Sequence, residues 1–250
     1  MLFRTDPAAT LAISQPAHAW LSGQMLHAWA AALSEPLLLA AEQHDIGWLD
    51  WETAPTFDAA TGRPHLFRAV GASLHAPMWR RGVARAFEAW GAHVALLISR
   101  HGGLIYTRYV DRHKAALEDA AAADLYLSAQ APVEAAWARR LGLDERALRN
   151  QSALVALADA LSLALCGDLR APLDFQAPDR YGEMANLRLT ERPGQPFEFA
   201  LAPWPFRVDA LDFEGEARAL PAAGRFADEA EMRAWFAAPE RVTFRASLRP

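Results

Sequence analysis

The sequence has one cysteine, one lysine and no excess of positive charge. A single cysteine, Cys166, in 250 residues excludes an intramolecular disulfide framework and a cysteine-based zinc site. Lys114 is the one lysine, and 25 basic residues face 30 acidic ones, for a net charge of −5. Nucleic acid is usually held by an excess of positive charge, so we expect no nucleic-acid partner.

Long apolar runs are also missing. No run approaches the ~20 apolar residues that a membrane-spanning helix needs. The first residues, Met1 to Pro7, lack the apolar core of a secretory signal. We therefore expect a soluble cytoplasmic protein without a membrane partner, and the sequence leaves its oligomeric state open.

The chain nevertheless has enough apolar residues for one sizeable core. Hydrophobic residues make up 52% and charged residues 22%, which excludes a disordered chain. Helix signals dominate the first two thirds: Ser14 precedes a helix at about 15–33, Ser34 precedes a second that ends near Gly47, and a long helix runs from Asp144 to Gly167. Residues 48–74 read as a long loop, which is often functional.

The pattern changes after Pro172. Short, partly alternating segments at 186–191, 196–201, 206–213, 215–220 and 241–248 are typical of strands. We therefore predict a mainly α (α+β) fold, in which a helical domain at 1–171 carries the site. A small antiparallel sheet at 172–250 would pack on it as a β-rich subdomain.

Three polar side chains stand in apolar helices. His44 and Asp45 end an apolar helix, and burying a carboxylate beside an imidazole is costly unless a cation or hydrogen bonds compensate. Asp159 lies within the apolar run 154–165, where an aspartate is normally paired or metal-bound. The alternatives are a hydrogen-bonded His44–Asp45 pair at the helix end and a salt bridge from Asp159 to an arginine such as Arg100.

Histidines elsewhere offer further ligands for a divalent ion. His18 lies in an Ala- and Trp-rich helix, and His101 ends the apolar run that begins at His93. His75 precedes that run. Each of these histidines alone is also compatible with an ordinary helix residue, so only the combination with His44, Asp45 and Asp159 predicts a metal site.

The order His…His-Asp…Asp on successive helices resembles the HD-domain superfamily of metal-dependent phosphohydrolases. The segments 41–47 and 155–161 look like its second and last metal motifs, and His75 and His101 resemble the extra histidine pair of its binuclear members. The whole chain is also similar to an uncharacterised bacterial family with an HD-like core. The matching stretches are Ile13-Ser-Gln-Pro-Ala-His18, Ser22-Gly-Gln24, His44-Asp-Ile-Gly-Trp48, Thr61-Gly-Arg-Pro64, Ser99-Arg-His-Gly102 and Pro203-Trp-Pro-Phe206.

The resemblance implies a helical HD-like bundle with two divalent transition-metal ions. His18, His44, Asp45 and Asp159 would hold the first ion, and Asp45 would bridge to a second ion held by His75 and His101. Iron, manganese, zinc and nickel all suit such ligands. A metal-bound hydroxide would then hydrolyse a small phosphorylated metabolite or nucleotide, with Asp45 as the catalytic carboxylate.

One position departs from the superfamily pattern. Many members have a lysine that contacts substrate phosphate where this chain has Trp48. Arg63 or Arg100 could supply that charge instead, so the predicted substrate-binding residues are Trp48, Arg63 and Arg100. The departure keeps two alternatives open: a di-iron oxygenase on the same scaffold, as in myo-inositol oxygenase, and a non-enzymatic module that binds a metal or ligand.

Three further polar residues are candidates for supporting roles. Gln15 could orient His18 or simply cap the helix. Asp50 and Glu52 could support the metal ligands or act as a general acid, and the alternative is an ordinary solvated loop.

Overall fold

The computed structural model describes residues 1–238 and 240–250. About half of the chain is helical and a fifth lies in strands. The α-helices are α1 (Gln15–His27), α2 (Glu35–Gln43), α3 (Leu49–Thr53), α4 (Ala72–Trp90), α5 (Ala92–Arg108), α6 (Leu117–Leu141), α7 (Glu145–Leu165) and α8 (Glu229–Ala237). The strands are β1 (Leu2–Thr5), β2 (Thr10–Ile13), β3 (Phe57–Asp58), β4 (Arg63–Pro64), β5 (Leu173–Pro178), β6 (Met184–Glu191), β7 (Glu198–Ala202), β8 (Leu211–Ala219) and β9 (Val242–Arg249).

A curled, seven-stranded sheet forms one layer of the described chain, in the order β1-β2-β8-β9-β7-β6-β5. Strands β7 and β9 pair in parallel, with Glu198 opposite Ser247. The other neighbours are antiparallel, as where β8 aligns Phe213 with Ala246 of β9. The sheet is therefore mixed and approaches half a barrel.

The predicted helical bundle with a small C-terminal antiparallel sheet is therefore wrong. The sheet is large, and β1 and β2 from the predicted helical region 1–171 belong to it together with strands of 172–250. Each of these two strands has only four residues, too few for alternation to stand out in the sequence. The parallel pair joins distant segments, which local pattern does not reveal.

Several helices also differ from expectation. Helix α1 ends at His27, short of the predicted end near residue 33. Helix α6 is one continuous helix although Pro132, a residue that normally interrupts a helix, lies inside it. Residues 48–74 contain α3, the β3–β4 pair, a short 3-10 turn at Phe67–Ala69 and the start of α4, and so are more ordered than the predicted loop.

Arg4 connects the sheet to the helical layer. Its buried guanidinium donates to the carbonyl oxygen of Leu165 at 3.0 Å and to that of Arg245 at 2.6 Å. Leu165 ends α7, where carbonyl groups lack helical partners and attract positive charge. One side chain thus joins β1, β9 and the end of the helix that carries Asp159.

The chain after Asp45 is pressed against α4. A Cβ atom on Gly82 would lie 2.8 Å from the backbone nitrogen of Gly47, and one on Gly47 would lie 2.6 Å from the carbonyl oxygen of Met78. Only glycine allows so close an approach of two backbones. This contact sets the position of the His44–Asp45 segment relative to α4. Among the described residues, no helix is both long and apolar enough to cross a membrane.

Candidate metal centre

Local structure places His18 and His44 at helix ends. Ser14 caps α1, its hydroxyl accepting from the backbone N–H of Ala17 at 3.2 Å, so His18 stands in the first turns of the helix. His44 follows the last residue of α2, with its Nδ1 2.8 Å from the carbonyl oxygen of Ala41. A carbonyl can only accept, so Nδ1 carries the proton and Nε2 presents its lone pair whenever the ring is neutral.

Five side chains from four parts of the chain converge: α1, the end of α2, α5 and α7. We call His18, His44, Asp45, His101 and Asp159 the cage. Oδ1 of Asp159 lies 3.2 Å from Nε2 of His18 and 3.4 Å from Nε2 of His44. Oδ2 of Asp45 lies 3.5 Å from Nε2 of His18 and 3.7 Å from Nε2 of His44. On the other side, Oδ2 of Asp159 lies 3.4 Å from Nε2 of His101.

These separations fit metal ligands. Atoms bound at about 2.1 Å to one ion lie about 3.0–3.4 Å apart in octahedral or tetrahedral geometry. The ligand atoms of His18, His44 and Asp159 all lie within 4.8 Å of one another. Nε2 of His44 and both ring nitrogens of His101 are buried without a hydrogen-bond partner in the described chain. A cation would bind the lone pair that each neutral ring presents. The His18–His44–Asp159 cluster could therefore hold a metal ion.

The imidazoles and carboxylates of the cage stabilise one another's charged forms. Burial lowers the pKa of His44, but the carboxylates of Asp45 and Asp159 outweigh it and raise that pKa to about 9. Burial raises the pKa of Asp159, but the adjacent imidazoles of His101, His18 and His44 hold that pKa well below its usual value. The cage therefore keeps an ionised carboxylate and attracts a cation, either a proton or a metal ion.

His75 is held apart from the carboxylates. Its Nδ1 lies 3.0 Å from the hydroxyl of Tyr106, and its ring lies 4.7 Å from that of Trp48 and 5.0 Å from that of Trp79. Burial lowers the pKa of His75 to about 3, so the ring is neutral. Its Nε2 is buried and has no hydrogen-bond partner in the described chain. None of these contacts is to Asp45, which was expected to bridge the two ions. His101, the other expected ligand of the second ion, lies beside Asp159 instead.

The predicted supporting residues divide into two groups. Glu52 is buried, and its Oε1 accepts from the backbone N–H of Gln15 at 3.0 Å, which fixes the start of α1. Burial raises the pKa of Glu52. Asp50 is exposed and accepts from Arg85 at 2.7 Å, so it pairs on the surface outside the cage.

The predicted substrate-binding residues do not all lie at the pocket. Trp48 is buried beside His75 in the pocket wall. Arg63 donates to the carbonyl oxygen of Gly224 at 2.6 Å and does not line the pocket, so it is not placed to bind substrate there. Arg100 lines the pocket, and its Nε donates to Ser152 at 3.1 Å.

Sequence reasoning missed some residues around the cage. The Ser162 hydroxyl donates to the carbonyl oxygen of Asp159 at 2.8 Å and accepts from Ser22 at 3.1 Å. The i, i+3 spacing from Asp159 to Ser162 is the signal that could have identified this support. Tyr106, the partner of His75, has no comparable signal because the two residues are on different helices.

A pocket of about 1270 Å³ adjoins the cage, and His18, Asp45, His75, His101 and Asp159 form part of its wall.

Residues 1–222 match the family described as "Protein of unknown function (DUF3891)". No curated protein and no solved structure matches the chain. Because the family match covers most of its length, this chain belongs to the DUF3891 family.

Proposed function

We propose that this protein is a metal-dependent hydrolase of the HD type that cleaves a phosphoester bond in a small phosphorylated molecule. The observation that carries the proposal is the convergence of three imidazoles and two carboxylates from four parts of the chain, with nitrogen–oxygen separations of 3.2–3.7 Å. Such a set is costly to bury without a cation. The adjoining pocket gives a substrate access to it.

The residues would divide between two ion sites. His18, His44 and Asp159, with Asp45 beside them, would hold one ion, and His101 with His75 would provide imidazoles for a second. Imidazole and carboxylate ligands suit iron, manganese, zinc or nickel. A bound ion of this kind lowers the pKa of water and so supplies a nucleophile near neutral pH.

The chain's own groups would orient both ions and substrate. Both oxygens of Asp159 face imidazoles, Oδ1 towards His18 and His44 and Oδ2 towards His101, so this carboxylate is the better placed of the two to bridge. Asp45 would keep its catalytic role by fixing the ion on the His18 and His44 side. The buried ring of Trp48 would exclude water from one wall of the site.

One observation favours a second candidate, a di-iron oxygenase. Position 48 carries a buried indole where a phosphate-binding lysine would be expected, and Arg63 contacts Gly224 away from the pocket. The wall beside the cage is therefore aromatic, with Trp48, His75 and Trp79 in contact. Such a wall suits an uncharged substrate as well as a phosphate ester.

Hydrolysis of p-nitrophenyl phosphate tests the first candidate. Protein purified without chelator and then supplied with Mn²⁺ or Ni²⁺ should release phosphate, and His44→Gln should abolish that release. The matched control is His27→Gln, because His27 is an exposed histidine at the end of α1. If no phosphate ester in a broad panel is hydrolysed while iron-loaded protein consumes O₂, the oxygenase replaces the hydrolase. Bound metal without either activity would indicate a binding module.

A further inference from the structure

One face of α7 leads from the cage along the pocket. Asp159, Ala156, Ser152 and Arg149 all line the pocket, and their spacing of three to four residues places them on the same side of the helix. At about 1.5 Å per residue, Ser152 lies about 10 Å and Arg149 about 15 Å along the axis from Asp159. The cage is thus one end of a long pocket wall.

The middle of that wall leaves room for a ligand. Ala153 and Ala156 line the pocket on α7 between Asp159 of the cage and Arg149. Their side chains end at Cβ, so they neither fill the space nor offer a polar contact. A pocket of about 1270 Å³ is also much larger than a phosphate group requires.

The far end of the wall carries two arginines. Nε of Arg100 donates to Ser152 at 3.1 Å, and its Nη1 lies 3.9 Å from Glu134. These contacts hold the guanidinium in place, while its Nη2 has no hydrogen-bond partner among the described residues. Within the described part of the chain, Arg149 pairs only with Glu145, at 3.5 Å, and both of these side chains are exposed. An exposed pair of this kind is weak and exchanges readily for another anion.

We infer that the substrate is elongated and carries a second anionic group, on the order of 10 Å from the bond that is cleaved. Arg100 and Arg149 bind this distal group, and the alanines of α7 face the linker between the two ends. Guanidinium groups match phosphate and carboxylate oxygens geometrically, so either anion fits the distal end. The inference rests on the proposed function for the position of the cleaved bond at the cage.

The binding of two bisphosphates of different length tests this inference. Isothermal titration of the metal-reconstituted protein uses phosphonate analogues of the two molecules, which a phosphoesterase cannot cleave. The octanediol bisphosphate analogue should bind on the order of tenfold more tightly than the ethanediol bisphosphate analogue. Only the longer molecule can occupy both ends. Arg100→Gln and Arg149→Gln should each reduce this ratio towards one. Arg146→Gln is the matched control, because Arg146 lies on α7 but pairs with Glu183 outside the pocket lining, and should keep the ratio.

The outcomes separate the inference from the proposed function. Equal binding of both bisphosphates, or a preference that survives in both Arg100→Gln and Arg149→Gln, overturns the distal site even if phosphate esters are hydrolysed. An arginine-dependent preference without any hydrolysis supports the distal site and counts against the hydrolase. Arg149 is exposed, so its variant is expected to fold even if Arg100→Gln does not. A dicarboxylate of the same length distinguishes a distal carboxylate from a distal phosphate.

Discussion

Nε2 of His18 lies 3.2 Å from Oδ1 of Asp159, although 141 residues separate them in the chain. Helices α1 and α7 bring them together, and the Ser22–Ser162 hydrogen bond joins the same two helices at 3.1 Å. The two contacts are one turn apart on each helix. A metal site of this kind therefore depends on the tertiary packing of α1 against α7.

Removal of the Asp159 carboxylate should abolish metal retention. Asp159→Asn keeps the size of the side chain but removes the charge that faces His18, His44 and His101. Loss of one ligand typically lowers metal affinity by orders of magnitude. The measurement is metal per chain by plasma mass spectrometry after purification without chelator.

The matched control for this substitution is Asp50→Asn. Asp50 pairs with Arg85 at the surface, so its replacement should leave the metal content unchanged. Full metal content in Asp159→Asn would show that the cage is not the metal site. Equal loss in both variants would point to a general effect of charge.

The sequence predicted the convergence of His18, His44 and Asp159 better than it predicted the fold. His44, Asp45 and Asp159 stand out because a charged or imidazole group in an apolar helix needs a partner, and this cost is visible in the sequence. The large sheet is not visible in the same way. Its strands β1 and β2 are four residues long, and the parallel pairing of β7 with β9 is decided by tertiary packing.

The roles of single residues were harder to predict than their presence. Arg63 and Asp50 lie near the predicted site in the sequence, but Arg63 bonds to Gly224 and Asp50 to Arg85. A polar side chain near a site in the sequence can bind a substrate or pair with a surface residue or a backbone carbonyl, and these alternatives are similar in free energy. Only the three-dimensional structure shows which of them occurs. Tyr106 was overlooked because its partner His75 lies on another helix.

The stability of the metal-free protein should fall as the pH rises through the range in which His44 titrates. The pKa of His44 is about 9 in the folded chain against an ordinary value of 6.5. A raised folded pKa stabilises the fold fully below about pH 6.5, and this contribution is lost as the pH approaches about 9. Its size is on the order of a few kcal/mol.

Urea denaturation of chelator-treated protein across that pH range measures this effect. His44→Gln should show a flatter pH dependence than the unsubstituted protein, whereas exposed His27→Gln should not. Metal binding should show the opposite trend, because the ion must displace the proton on His44 and therefore binds more tightly at higher pH. A metal-free protein whose stability is constant over this range would contradict the charge balance described for the cage.

Gly82→Ala should destabilise the fold by about 1–3 kcal/mol. Its Cβ would lie 2.8 Å from the backbone nitrogen of Gly47, so α4 must move away from the segment that carries Asp45. Thermal and urea unfolding measure the loss, and metal content shows whether the displacement reaches the cage.

Gly103→Ala is the matched control for that substitution. Gly103 also lies inside a helix, but a Cβ there would meet only a Leu127 methyl at 3.7 Å, an ordinary contact. Alanine has the higher helix propensity, so this variant should be neutral or more stable by about 0.5–1 kcal/mol. Equal stability of the Gly82 and Gly103 variants would show that α4 tolerates the displacement.

Arg4→Met should destabilise the protein by about 3 kcal/mol, because it leaves the buried carbonyl oxygen of Leu165 and the partly buried one of Arg245 without their donor and removes the ion pair with Asp6. Methionine is of similar length and apolar, so the change removes hydrogen bonds with little loss of packing.

Arg245→Met is the control: its side chain is exposed, pairs with Glu214 on the surface, and should contribute less than about 1 kcal/mol. Because Arg4 holds the end of α7, its loss should also weaken metal binding through Asp159. Equal unfolding free energies of the two variants would show that the Arg4 contacts contribute no more to stability than a surface ion pair.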